Sequence, residues 1–220
     1  MSVTRRALVM AALVACGSQP PKPRPIANVP PGAPPIALAI VYAGQILAIG
    51  DEDYETIPGA TLPGILHSVE RAIDELPLPA GSEVEAIAYS TKPTIVMPWT
   101  PASRARGAAL GKEIDYRQLI GSDVVVGITL ALDELARRSE PRKLLVVIGD
   151  GNDTSGSLAI PALVDRKARA SRQGVATHAI ILSMPISPKG ESIDRFAEHS
   201  QTIGSAGDIP AALAAAVRVP

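Results

Sequence analysis

The sequence has few aromatic residues, one cysteine and almost no net charge. Phe, Trp and Tyr make up only 3% of it, which argues against broad stacking surfaces for nucleic-acid bases or sugars. A formal net charge of -1 gives no electrostatic footprint for nucleic acid, so we expect no nucleic-acid partner. Cys16 stands alone and cannot form an internal disulfide, so its presence needs another reason.

Familiar catalytic and metal-binding motifs are also missing. There is no G-x-S-x-G elbow and no GxxxxGK[ST] loop, which argues against serine hydrolases and P-loop NTPases. The three histidines, at positions 67, 178 and 199, show no HxxxH spacing and have no cysteine partner, so a zinc site has little support. We interpret each as structural or surface, with His178 in a predicted strand and His199 in a predicted short helix.

A short apolar run, Leu144–Ile148, stands out among the residues that are present. It has the length of a strand covered on both faces rather than of a buried helix, and it ends at Gly149-Asp150-Gly151. In open α/β sheets ligands bind outside the carboxyl ends of the strands. Asp150 therefore follows the central strand at the place where such a fold binds its ligands.

Strand-like and helical patterns alternate along residues 36–217. Further strands are predicted at 36–42, 83–90, 94–98 and 175–182, and helices at about 65–76, 161–170, 193–199 and 209–217. One more helix is predicted between Gly121-Ser122-Asp123 and Pro141, with its apolar positions at 128, 132, 135 and 136. This order predicts an α/β fold, a Rossmann-like three-layer sandwich with helices on both faces of a mostly parallel central sheet. The strands around Thr91-Lys92-Pro93 form one antiparallel edge hairpin, and Trp99 is expected to cover its end.

The first fifteen residues have the pattern of a secretory signal. Arg5 and Arg6 precede an apolar run at 7–15 that is too short to span a bilayer. Residues 13–17, LVACG, resemble the lipobox of bacterial lipoproteins, which implies that residues 1–15 are removed and that Cys16 carries the lipid, including palmitate. A plain signal peptide and a cytosolic start with an accidental cysteine are the alternatives.

Residues 16–35 follow as the lipidated cysteine and a proline-rich tether. Their composition favours extended polyproline geometry, so we interpret them as a spacer, with a proline-binding partner as the alternative. The pair at Arg5-Arg6 also fits a loose twin-arginine signal, which leaves the Sec and twin-arginine routes both open. Glycine, not aspartate, follows Cys16, which favours the outer membrane over the inner membrane of the cell envelope.

Residues 36–217 resemble a von Willebrand factor A (VWFA) domain. The likeness is carried by the element order, the hairpin EVEAIAYSTKPTIVMP, the GSD-then-helix segment at 121–135 and PRKLLVVIGDGNDTSG at 141–156. It implies a domain over 36–220 that binds a protein partner. Such domains usually hold a divalent cation at a metal-ion-dependent adhesion site, built from a DxSxS motif after the first strand, a later threonine, and an aspartate after the central strand.

The first of these ligand motifs is absent. Val41, Ala43 and Gln45 stand where the resemblance places the Asp and the two Ser, which removes three oxygen ligands. Asp150 matches the later aspartate and Ser122 falls in the place of the threonine. We therefore expect a vestigial metal site.

The expected cofactor list is accordingly empty, with Mg²⁺ held weakly if it binds at all. Asp51 and Asp53 are the candidate substitute ligands, although a solvated acidic loop is the simpler interpretation of that segment.

The predicted function is non-enzymatic. We expect a lipid-anchored envelope domain that presents the loops at the carboxyl ends of its strands to an unknown envelope protein. The alternatives are an α/β-fold envelope enzyme acting near Asp150, and a scaffold with no ligand at this face. A deep pocket with a second ionisable group facing Asp150 would favour the enzyme, and a shallow open face would favour binding.

Overall fold

A computed structural model describes residues 29, 32–43, 62–110, 123–150, 159–183 and 193–218. Within them, six strands form one sheet in the order β3-β2-β1-β4-β5-β6. They are β1 (Ile36–Ala43), β2 (Glu83–Tyr89), β3 (Thr94–Pro101), β4 (Arg142–Gly149), β5 (Val175–Leu182) and β6 (His199–Ile203). β2 and β3 are antiparallel and every other neighbouring pair is parallel. The predicted parallel sheet with one antiparallel edge hairpin is confirmed.

The described part of the chain also contains four α-helices. They are α1 (Leu62–Glu75), α2 (Val124–Ala136), α3 (Ala159–Arg172) and α4 (Ile209–Arg218). α1 packs against α4 and α2 packs against α3, and right-handed crossovers place the two pairs on opposite faces of the sheet. The predicted three-layer α/β sandwich is therefore confirmed. No helix among these residues is both long enough and apolar enough to span a bilayer.

The core is centred on β1 and β4. All of β1 is buried, and so is β4 from Leu144 to Gly149. Strands covered on both faces read as continuous apolar runs rather than as alternating patterns. Burying one such aliphatic side chain contributes about 1.5–3 kcal/mol to folding, so these two strands anchor both helical layers.

The sixth strand corrects the sequence prediction. Only Ile193–Arg195 forms a turn of 3-10 helix, and His199–Ile203 pair with β5 as an edge strand, so the short helix predicted at 193–199 is wrong beyond its first turn. Most of β6 is exposed, and it therefore lacks the apolar pattern by which a strand is recognised. As a consequence His199 lies on a strand beside His178.

Candidate functional site at the carboxyl edge of the sheet

The carboxyl ends of β1, β2 and β4 meet at one edge of the sheet, because these strands are parallel. Asp150 directly follows β4 at this edge and is half-buried. Tyr42 of β1 is the register partner of Ile148, so Ala43 is level with the end of β4. The structure thus places Asp150 where a ligand-binding edge is predicted.

Tyr89, the last residue of β2, packs closely against Gly149 of β4 and Gly127 of α2. It is fully buried, and its hydroxyl oxygen lies 2.3 Å from where a Cβ on Gly149 would stand. A Cβ on Gly127 of α2 would stand 2.8 Å from the Tyr89 Cβ and 2.9 Å from Val41 Cγ1. Both glycines are therefore needed for close packing around one large side chain.

At the end of β1, hydrocarbon side chains occupy positions where the VWFA resemblance requires oxygen ligands for a metal ion. Val41 and Ala43 are 0% and 1% exposed, and Val41 packs toward α2. Magnesium requires oxygen ligands near octahedral geometry. These two positions do not fit that ligand set, and the third, Gln45, lies outside the described residues.

The N-terminus of α2 is fixed to the end of β2 by Asp123. Its Oδ1 accepts a hydrogen bond from the backbone N–H of Val126 at 3.2 Å, which caps the helix. Its own backbone N–H donates to the carbonyl oxygen of Ser90 at 3.2 Å. Asp123 is thus a second acid at this edge, and the signal that marks it in the sequence is an aspartate directly before a helix.

The structure places only one of the predicted site residues. Cys16, Asp51, Asp53 and Ser122 lie outside the described residues, and Asp150 lies within them. Among the described residues, no three His, Cys, Asp or Glu side chains come close enough to hold a metal ion. The predicted grouping of Asp150 with Ser122 therefore stays a prediction.

Solved structures share this arrangement of sheet and helices. The von Willebrand factor type A structure from Catenulispora acidiphila superposes with a TM-score of 0.57 at 15% identity, over 83% of this chain and 41% of that one. The vWF domain of the type V pili tip protein Mfa5 from Porphyromonas gingivalis gives 0.53 at 11% identity, over 82% and 93%. This chain has the von Willebrand factor type A fold.

A third solved structure has a similar fold. An aerotolerance-related membrane protein from Bacteroides fragilis matches with a TM-score of 0.58 at 13% identity, over 83% of this chain and 98% of that one. At these identities the likeness shows the fold alone. No family model matches the sequence, and no curated protein matches it. The predicted VWFA resemblance is confirmed at the level of the fold.

The opposite, amino edge of this sheet carries a charged cluster that no sequence pattern indicates. Arg138, which follows α2, bonds the carboxylates of Glu83 on β2 and Glu140, the latter with Nη2 2.5 Å from Oε1. Its Cζ lies 4.7 Å from the centre of the Trp99 ring on β3. The hydrogen bond from Arg138 holds the pKa of the Glu140 carboxyl below its ordinary value. Trp99 therefore covers a cation rather than the hairpin turn.

Glu85 is buried beside this cluster. It is 1% exposed, and within the described residues its Oε2 accepts no hydrogen bond. Burial raises the pKa of Glu85 to about 7, the charge of Glu134 adds to this, and the charge of Arg138 opposes it. The sequence signal is the alternation in β2, which places Glu85 on the same face as Ile87 and Tyr89.

Proposed function

We propose that this chain is a lipid-anchored protein of the bacterial cell envelope whose VWFA-like domain binds another protein through the carboxyl edge of its sheet, without a competent metal site. The topology carries this proposal. Segments 44–61, 151–158 and 184–192 follow the carboxyl ends of β1, β4 and β5, and segment 111–122 leads into α2. Among the described residues, β1, β2, β4 and β5 end at this edge and α2 begins there, and open α/β sheets bind their ligands at the edge where the strands end.

The comparison with pilus and membrane proteins supports an interaction role in the envelope. Mfa5 is described as a pilus tip protein, and its vWF domain has the same fold as this chain. The Bacteroides fragilis relative in fold is described as a membrane protein. We transfer to this chain only the cell envelope and the binding of a protein.

The anchor rests on the sequence before β1. Residues 13–17, LVACG, followed by the proline-rich stretch to residue 35, supply a lipidation site and a spacer ahead of a domain that begins at residue 36. Glycine after Cys16 favours the outer membrane. The boundaries 1–15, 16–35 and 36–220 are part of this proposal.

Replacing Cys16 with serine tests the anchor. Wild-type protein should partition into detergent and carry acyl mass on its mature N-terminus, as seen by mass spectrometry. Cys16→Ser should carry none and should leave the membrane fraction. A wild-type N-terminus without acyl mass would contradict the proposed anchor. It would not contradict the proposal that the carboxyl edge binds a protein.

An enzyme acting near Asp150 gains no support from the described residues. Such a site needs a second ionisable group facing that carboxyl, and the carboxylate of Asp123 is engaged as a helix cap. A groove among the described residues is lined by β5, β6 and α4, and Asp150 is not one of its lining residues. Protein binding is therefore the function that we propose.

Site-specific photo-crosslinking tests the binding edge. A photoreactive residue would replace Lys92, which is exposed after β2, or Asp150, each in the full chain in its native envelope. The matched control replaces Ser139, which is exposed at the amino edge. We expect a discrete adduct from positions 92 and 150 and none from 139. Adducts from position 139 alone would place the interface at the other edge and overturn the proposal.

A further inference from the structure

Two histidines contact each other on β5 and β6, level with the middle of β4. His178 of β5 and His199 of β6 are register partners in parallel strands, so their side chains lie on the same face of the sheet. Their ring centres are 4.9 Å apart and the ring planes are inclined by 34°. His178 is 7% exposed and His199 is exposed, so solvent reaches the pair from the side of β6.

The two rings line a groove of about 180 Å³ between the sheet and α4. Ala212, Ala215 and Ala216 form its helical wall, and their short side chains leave the space above the rings open. Gln201, two residues beyond His199 on the same strand, lines the groove as well. The groove therefore has room for an ion and several water molecules.

We propose that His178 and His199 together bind one divalent first-row transition-metal ion, Zn²⁺ or Cu²⁺, in this groove. Imidazole nitrogen is a preferred ligand of both ions. With a metal–nitrogen distance of about 2.0 Å, each ring centre lies about 3.2 Å from the ion, and two imidazoles at a near-tetrahedral angle have centres about 5 Å apart. The observed separation of 4.9 Å fits this geometry.

The remaining coordination positions are filled by water or by the amide oxygen of Gln201. Among the described residues no third His, Cys, Asp or Glu completes a ligand group. A site with two protein ligands and open positions is exposed to exchange, so its affinity is lower than that of a closed structural zinc site. The ion is therefore an addition to a folded domain and not a requirement for folding.

The third histidine supplies a matched control. His67 lies on α1 with its side chain 77% exposed, so His67→Gln removes one imidazole without touching the groove. The full chain, with any free Cys16 thiol alkylated, would be titrated with ZnCl₂ by calorimetry. We expect one Zn²⁺ per chain, an affinity about tenfold weaker or worse in His199→Gln, and no change in His67→Gln.

Electron paramagnetic resonance with Cu²⁺ counts the ligands directly. Wild type and His67→Gln should show two coupled nitrogens, and His199→Gln should show one. If His178→Gln fails to fold, the result for His199→Gln is sufficient to test the proposal, because His199 is exposed and its replacement leaves the core intact. Equal Zn²⁺ affinity in wild type and His199→Gln, or loss of Zn²⁺ in Asp150→Ala instead, would overturn the proposal.

Discussion

The two edges of the sheet hold their charges differently. At the amino edge, Arg138 joins Glu83 and Glu140 in ion pairs within the domain and is covered by Trp99. At the carboxyl edge, Asp150 is half-buried, and Val41 and Ala43 at the end of β1 are buried hydrocarbon side chains. A dense set of ion pairs within a domain serves folding, so the density of the amino-edge cluster does not by itself mark a binding site.

Val146→Asp tests the strand on which both edges depend, and it has the largest expected effect. Val146 is 0% exposed in the centre of β4, so the new carboxylate would be buried without a partner at a cost of several kcal/mol. Domains of this size are stable by about 5–15 kcal/mol, and we expect most of the protein to unfold. Circular dichroism and a denaturant titration would measure the loss.

The control for this change is Val164→Asp on α3. The same substitution there falls on a residue that is 52% exposed, and we expect a change within about 0.5 kcal/mol. A soluble Val146→Asp variant that melts at the wild-type temperature would show that β4 is peripheral, contrary to the sheet order.

How far the sequence predicts the structure also differs between the edges. The run Leu144–Ile148 ending at Asp150 predicts a central strand and its carboxyl end, because continuous apolar runs are recognisable without tertiary information. Arg138 meets Glu83 only after β2 and α2 have been brought together, and no local pattern indicates that contact. The strand His199–Ile203 is missed for a related reason, since an exposed edge strand carries no apolar pattern.

Replacing Arg138 with methionine sharpens the comparison at the amino edge. Methionine keeps the hydrocarbon contact with Trp99 but leaves Glu83 and Glu140 without their cation. Breaking a buried pair costs about 3–5 kcal/mol, and because this cluster is partly exposed we expect about 2–4 kcal/mol by urea unfolding at pH 7.

Arg137 offers the matched control for this measurement. Its side chain is 71% exposed and pairs with Glu134 on the helix surface, so Arg137→Met should cost no more than about 0.5 kcal/mol. Equal losses in the two variants would mean that the amino-edge cluster is no more than a set of surface ion pairs.

Glu85→Gln should stabilise the protein in alkaline buffer. The folded carboxyl keeps its proton up to a pKa of about 7, against an ordinary value of 4.5, so unfolding releases a proton between these values and wild-type stability falls as pH rises through that window. Glutamine removes the titration. We expect the stability of Glu85→Gln relative to wild type to rise by about 2–3 kcal/mol between pH 5 and pH 8.

Urea titrations at both pH values would check this difference, with Glu75→Gln as the control. Glu75 is exposed at the end of α1, so its replacement should give the same stability difference from wild type at both values. A Glu85→Gln variant that loses stability at pH 8 would show that the carboxylate is stabilised by a partner at that pH.

The smallest expected effect concerns magnesium at the carboxyl edge. Val41 and Ala43 are buried hydrocarbon where the VWFA resemblance requires oxygen, so an ion near Asp150 would keep mostly water as its ligands. A ligand at a hundred times its dissociation constant stabilises the folded state by about 2.7 kcal/mol, which a melting experiment detects easily. In millimolar MgCl₂ we expect little or no shift in Tm for wild type, and the same response in Asp150→Ala.

Micromolar Mg²⁺ or Mn²⁺ affinity that disappears in Asp150→Ala would show that the carboxyl edge does hold a metal site. Asp51 and Asp53 would then be the first residues to replace, because Val41 and Ala43 carry no side-chain oxygen.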